Sequence, residues 1–182
     1  MYRKVLFFIL FSTICFDINA QKGENMLSLN GEVTIPVFQY HRGFGFFLKD
    51  SYGISKSGQL TLSAGVSKFT SNNSIATGNI ITRLVPFLFG YKQNIHKFFF
   101  EPKIGIGELG GKILDNGDYQ RPSVAAMFVG IGAGYTVKRF NPGINFLSAY
   151  GIENASAGIW HNKNFHYTSL FIGYNLFSNS RR

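Results

Sequence analysis

The stretch Met127-Phe-Val-Gly-Ile-Gly-Ala-Gly-Tyr135 constrains the fold more than any other part of the chain. Met127, Val129, Ile131, Ala133 and Tyr135 are apolar, and Gly130, Gly132 and Gly134 alternate with them. On a strand, successive side chains point to opposite faces. One face is therefore greasy and the other nearly bare. A strand whose outside is lipid and whose inside is a narrow lumen has this pattern, so the expected fold is all-β, an eight-stranded antiparallel up-and-down transmembrane β-barrel.

The N-terminus reads as an export signal. Arg3 and Lys4 precede an apolar run from Val5 to Phe16, and Ala20 supplies the small residue before a cleavage point. The run is shorter than the roughly 20 residues a spanning helix needs. We therefore divide the chain into a signal peptide, 1–20, and one barrel domain, 21–182. Cys15 is the only cysteine, and Ile14 stands where a lipobox requires a small residue. Without the signal the chain has no cysteine, so no disulfide supports the fold. The net charge of +9 falls to +8 once Arg3, Lys4 and Asp17 are removed. Mean hydropathy lies near zero because greasy and polar faces cancel.

Eight segments have the length and alternation of spanning strands: 27–35, 44–54, 60–69, 82–92, 98–108, 123–138, 143–152 and 166–177. Outward rows include Leu29 and Val33; Leu60, Leu62, Ala64 and Val66; Val85, Phe87, Phe89 and Tyr91; Phe100, Pro102, Ile104 and Ile106; and Leu170, Ile172, Tyr174 and Leu176. The intervening rows carry Gly, Ser, Thr, Lys and Glu. The connections form two groups. Residues 55–59, 93–97 and 139–143 are short and rich in turn formers, whereas 36–43, 70–81, 109–122 and 153–165 are longer and more polar. The short set belongs on the periplasmic side and the long set outside the cell.

Five motifs in this order give the chain a family likeness: Leu29-Asn-Gly-Glu-Val-Thr-Ile-Pro36, Gln59-Leu-Thr-Leu-Ser-Ala-Gly-Val66, Phe99-Phe-Glu-Pro-Lys-Ile-Gly105, Gly130-Ile-Gly-Ala-Gly-Tyr135 and Leu170-Phe-Ile-Gly-Tyr174. The chain resembles the small outer-membrane β-barrel proteins of the OmpX/opacity-like type, in the form common in Bacteroidetes. The resemblance implies an eight-stranded barrel in the outer membrane of a Gram-negative bacterium, with no general enzymatic activity. Two positions depart from the pattern. Asp50 stands where the family usually has a lipid-facing aromatic, and 178–182 follow the terminal aromatic that the barrel assembly machinery reads.

An eight-stranded lumen is just wide enough to be filled by side chains. Glu32, Lys49, Lys92, Glu101, Lys103 and Lys138 all fall on inward rows. A paired polar network is one reading, because an unpaired charge in a confined lumen is costly; a weak anion path is the other. For catalysis, His41, His96, His161 and His166 are the candidate bases. Glu153-Asn-Ala-Ser-Ala-Gly158 is similar to the His-x-Ser-Asn-Ala stretch of outer-membrane lipid A deacylases. Aligned on Asn154-Ala155, however, Gly151 and Glu153 occupy the catalytic His and Ser positions. No catalytic residue, metal ligand or cofactor is expected.

The long connections offer recognition residues instead: Lys112, Tyr119, Arg121, Trp160 and His161. Aromatic and basic side chains together suit sugars, proteins or lipopolysaccharide phosphates. The alternative is that Tyr119 and Trp160 anchor at the membrane interface. Asp115-Asn-Gly-Asp118 is too short for an EF-hand loop and reads as a turn. The partners expected are outer-membrane lipid and lipopolysaccharide, with the assembly machinery during biogenesis; nucleic acid is not expected, and the protein is expected to be a monomer. The competing fold is an exported soluble barrel of lipocalin type, with its apolar rows turned inward around a ligand.

Overall fold

The computed structural model describes residues 23–35, 41–71, 80–115, 118–120, 123–151 and 164–180. They form β1 (Glu24–Ile35), β2 (His41–Gly53), β3 (Gly58–Ser71), β4 (Ile80–Ile95), β5 (Phe98–Asp115), β6 (Asp118–Gln120), β7 (Ser123–Tyr135), β8 (Phe140–Gly151) and β9 (Asn164–Ser180). Eight of these strands are staves of one antiparallel barrel. Each pairs with its neighbour in the chain, β1 pairs with β9, and β5 pairs directly with β7. Closure leaves none of the eight staves with a bare edge, so the ladder groups find partners within the wall. The short β6 pairs only with the far end of β5, through Ile113, Leu114 and Asp115.

The greasy rows point outward. Val33, Phe44, Phe46, Phe87, Phe98 and Ile106 are each at least half exposed on the outer surface, an arrangement suited to lipid and costly in water. The lipocalin alternative required the opposite placement. One end of this band has an aromatic girdle: the Phe98 ring packs against Tyr135 at 5.0 Å, and Phe140 against Tyr174 at 5.1 Å. Towards the other end the outward rows turn charged at Lys68, Arg83 and Glu108, where Arg83 Nη2 donates to Glu108 Oε1 at 2.6 Å. Along β4, Arg83 to Tyr91 spans about 20 Å of height once tilt is allowed for, close to the apolar band of a barrel. Asp50 is exposed two residues from Tyr52, beside the girdle end.

The strands run longer than the sequence alternation suggested, reaching 16 residues in β4 and 18 in β5. The ladder continues past the apolar band because backbone groups still need partners there. The connection expected at 109–122 is consequently mostly strand, and Asp115 faces Asp118 across a hairpin. At the opposite end three tight turns join the staves. Two have a non-glycine residue in the left-handed region, His96 at φ 59° and Lys138 at φ 54°. The last turn does not fall at 139–143. Val137 and Phe140 exchange backbone hydrogen bonds, each 2.8 Å, so Asn141, Pro142 and Gly143 belong to β8. Asn-Pro-Gly has turn chemistry, but Pro142 sits near the strand start with its ring on the outer face, where a missing N–H is tolerated.

Candidate functional site

The lumen is layered along its axis. Nearest the long connections lies an apolar plug of Phe69, Leu84, Leu109, Phe128, Leu147 and Phe165, with Tyr167 beneath them. Phe69 packs against both Phe165 and Tyr167 with ring centroids 4.8 Å apart. This plug departs from the expectation of a wholly polar interior. These residues sit on inward rows where the chain is apolar on both faces, as at Met127-Phe128-Val129 and Phe146-Leu147. Strict alternation hides such positions.

Below the plug Glu32 is buried and collects three hydroxyls. Its Oε1 accepts from Ser67 Oγ at 2.7 Å and from Tyr167 at 3.0 Å, and its Oε2 accepts from Ser169 Oγ at 2.9 Å. Charge-assisted bonds of this kind are about twice as strong as neutral ones. Deeper still, Glu101 Oε2 accepts from Lys49 Nζ at 2.7 Å, and Lys103 Nζ lies 3.5 Å from the same oxygen. Thr61 Oγ1 donates to Glu101 Oε1 at 2.8 Å, and Lys103 also donates to Asn145 Oδ1 at 3.2 Å. Of the six expected lumen groups the structure brings Lys49, Glu101 and Lys103 into one cluster and gives Glu32 a separate cage of hydroxyls. Ser67, Thr61, Tyr167 and Ser169 were not singled out from sequence, although each lies on an inward row.

The glycine row of β7 is where this filling is accommodated. A Cβ on Gly130 would come within 2.5 Å of Leu147, one on Gly134 within 2.5 Å of Phe99, and one on Gly132 within 3.3 Å of Lys103 Nζ. The bare face seen in the sequence is thus occupied by large side chains from neighbouring strands. In mid-lumen a cavity of about 30 Å³ lies between Asn30, Phe47, Lys103 and Phe171. It has room for a water or two.

Lys92 and Lys138 lie elsewhere. Lys92 is 5% exposed at the short-turn end of the lumen, with its ammonium 4.3 Å from the centre of the Phe99 ring. Lys138, expected on an inward strand row, is instead exposed in the β7–β8 turn, because β7 ends at Tyr135. Together they line an open vestibule of about 320 Å³ with Glu24, Asn94, Arg139 and Asn175.

Lys112 lies on β5 opposite Ile81 and Tyr119 on β6 opposite Leu114, both at the long-connection end. Arg121, Trp160, His161 and the 153–158 stretch lie outside the described residues. Of the candidate bases, His96 is exposed in its turn, and His166 Nδ1 is 2.8 Å from Ser148 Oγ. Ser148 is only 4% exposed beneath the ring. Among the described residues no group of three His, Cys, Asp or Glu could hold a metal.

No family model matches the chain, and no curated protein matches it. Among solved structures it is similar to Ail, the attachment invasion locus protein of Yersinia pestis, at 14% identity and a TM-score of 0.57, covering 85% of this chain and 98% of that one. It is also similar to Neisserial surface protein A at 8% identity and TM-score 0.56, covering 83% of this chain and 95% of that one. The chain has the fold of the small outer-membrane barrels. The N-terminal β-barrel domain of Pseudomonas aeruginosa OprF is a third such match, at 12% identity and TM-score 0.51, with 85% of this chain and 98% of that one covered.

Proposed function

We propose that this protein is a non-enzymatic envelope component of a Gram-negative outer membrane, exported with cleavage after residue 20, whose long connections mediate surface interaction or adhesion. The observation that carries this reading is the pairing of a lipid-suited exterior with a filled lumen. Apolar aromatics cover the wall, and a plug and two polar clusters fill the lumen above the short-turn vestibule, with a cavity of about 30 Å³ between them. A lumen so filled neither conducts nor holds a substrate without rearrangement, which leaves the loop end as the working surface. Ail, whose name records attachment and invasion, shares the fold and supports adhesion as a role for such a scaffold.

The non-enzymatic reading is favoured by the state of the His166 and Ser148 pair. Its hydroxyl is covered beneath the imidazole ring, a poor position for a nucleophile that must reach a substrate. The partners in this reading are outer-membrane lipid and lipopolysaccharide, the assembly machinery during biogenesis, and a surface ligand met by Lys112, Tyr119, Arg121, Trp160 and His161. The order of the sequence motifs supports a Bacteroidetes-type member, and the protein acts as a monomer in this reading. Fractionation of the native envelope, followed by electrophoresis with and without boiling, tests the proposal. Recovery in the outer membrane with a boiling-dependent shift is expected; recovery as a soluble protein without that shift would sink it.

A further inference from the structure

We infer that the vestibule at the short-turn end of the lumen is a binding site for a small phosphate-bearing anion, with Lys92 as its floor and Lys138 and Arg139 as its rim. Three observations converge on it. The first is space: about 320 Å³ opens between β1, β4, β8, β9 and the β7–β8 turn, several times the volume of a single water, so a phosphomonoester fits as well as free phosphate.

The second is an ammonium with no counter-charge. Lys92 is 5% exposed, and no carboxylate of the described residues lies within ion-pair distance of it. Its ammonium lies over the face of Phe99, 4.3 Å from the ring centre. Glu101, the acid of the central lumen, is already engaged by Lys49, Lys103 and Thr61. A cation held away from bulk water without an ion-pair partner favours an anion arriving from the open side. Lys138 and Arg139 extend the positive field to the rim, and Glu24 is the only acid of the lining.

The third is the direction of the hydrogen bonds. Thr136 Oγ1 donates to Asn141 Oδ1 at 2.9 Å, and Asn141 Nδ2 donates to Asn175 Oδ1 at 2.8 Å. That chain leaves the Asn175 amide nitrogen as a donor on the vestibule wall, and such chains polarise in the direction they run. The Asn175 backbone N–H donates to the carbonyl of Arg139 at 2.8 Å, which fixes the rim turn to β9. The same turn holds Lys138 at φ 54°, and backbone strain of this kind tends to gather where a side chain must be aimed.

The test is titration calorimetry of the full chain in neutral maltoside micelles, with glycerol phosphate, inorganic phosphate and glycerol as probes. Binding of both phosphates and none of glycerol is expected, weakening with salt. Lys92→Gln and the rim pair K138A/R139A should each weaken binding at least tenfold, and Lys92→Arg should retain it. The rim pair is exposed and keeps the proposal falsifiable if Lys92→Gln fails to fold. Nanodiscs of phosphatidylglycerol against phosphatidylcholine separate the sources. If free phosphates do not bind but the anionic lipid alone is retained, and the rim pair releases it, a headgroup phosphate is the occupant. Absence of binding in every arm, or binding unchanged in the rim pair, overturns the site. None of these outcomes depends on where the long connections bind, so failure here leaves the envelope role untouched.

Discussion

Lys49 Nζ lies 2.7 Å from Glu101 Oε2, and the carboxylate it meets is wholly enclosed. Lys103 approaches the same oxygen at 3.5 Å, so one acid holds two ammoniums together inside the lumen. Replacing Glu101 by Gln leaves both cations without a counter-charge, and breaking a buried pair from one side costs about 3–5 kcal/mol. The guanidinium midpoint, followed by loss of the folded band on unboiled gels, should fall accordingly. The double change K49M/E101Q should lose less than the sum of the two single changes.

Tyr167→Phe removes one of the three hydroxyls that hold Glu32 while keeping the ring against Phe69. A hydrogen bond to a charged group contributes about 1.5–3 kcal/mol. A loss in that range, unchanged by the Ser67 and Ser169 contacts that remain, is expected from the same unfolding measurement. A neutral result would mean that the Glu32 cage is sufficient with two donors.

A methyl group at position 134 has nowhere to go. It would come within 2.5 Å of both the Phe99 ring and the backbone oxygen of Pro142, and overpacking of this kind costs about 1–3 kcal/mol. Gly134→Ala should therefore lower stability, and G134A/F99A should recover part of the loss by emptying the ring's place. Thermal melts by circular dichroism would read both.

Lys138 occupies a left-handed backbone conformation at φ 54°, which disfavours an L side chain by about 1–2 kcal/mol. Lys138→Gly relieves that strain at some cost in unfolded-chain entropy, so a net gain of up to about 1 kcal/mol is expected, and Lys138→Val should destabilise. Unchanged midpoints in both variants would count against the assigned turn geometry.

In a planar bilayer the protein should give no stepwise current. The plug of Phe69, Leu84, Leu109 and Phe128 closes one end of the lumen, and the Glu101 cluster fills the middle. Ion steps from the unaltered chain that vanish on Lys103→Ala would restore the anion-path reading of the lumen.

The Met127 to Tyr135 run disclosed more of this architecture than its length suggests, because a period of two fixes facing without any knowledge of neighbours. Val129 and Ile131 are outward as the alternation required. Facing, however, does not say what fills a face. Phe128 and Leu147 are buried inward although both their chain neighbours are apolar or polar by local accident, and only the glycine across the strand pair makes room for Leu147. Strand ends were equally hidden. Asn141-Pro142-Gly143 has every local mark of a turn, yet the ladder from Gly134 to Gly143 carries the register through to the Val137 and Phe140 pair. That displacement is why Lys138 left the inward row. The ion cluster was legible as residues on one face, but the pairing of Lys49 with Glu101, 52 positions apart in the chain, depended on shear and packing that no single strand encodes.

The seam between β1 and β9 joins the two ends of the chain, with Glu24 opposite Ser180 and Ile35 opposite Thr168. The cylinder therefore cannot close until its last stave exists. A chain interrupted before residue 164 would present two unsatisfied borders, on β1 and on β8, each able to recruit a stranger's strand. Closure across nearly the whole length of the chain is also the kind of long-range contact that slows folding most. The final 17-residue strand thus acts as the latch of the molecule, and the time before it seats is the period in which the protein most depends on an escort.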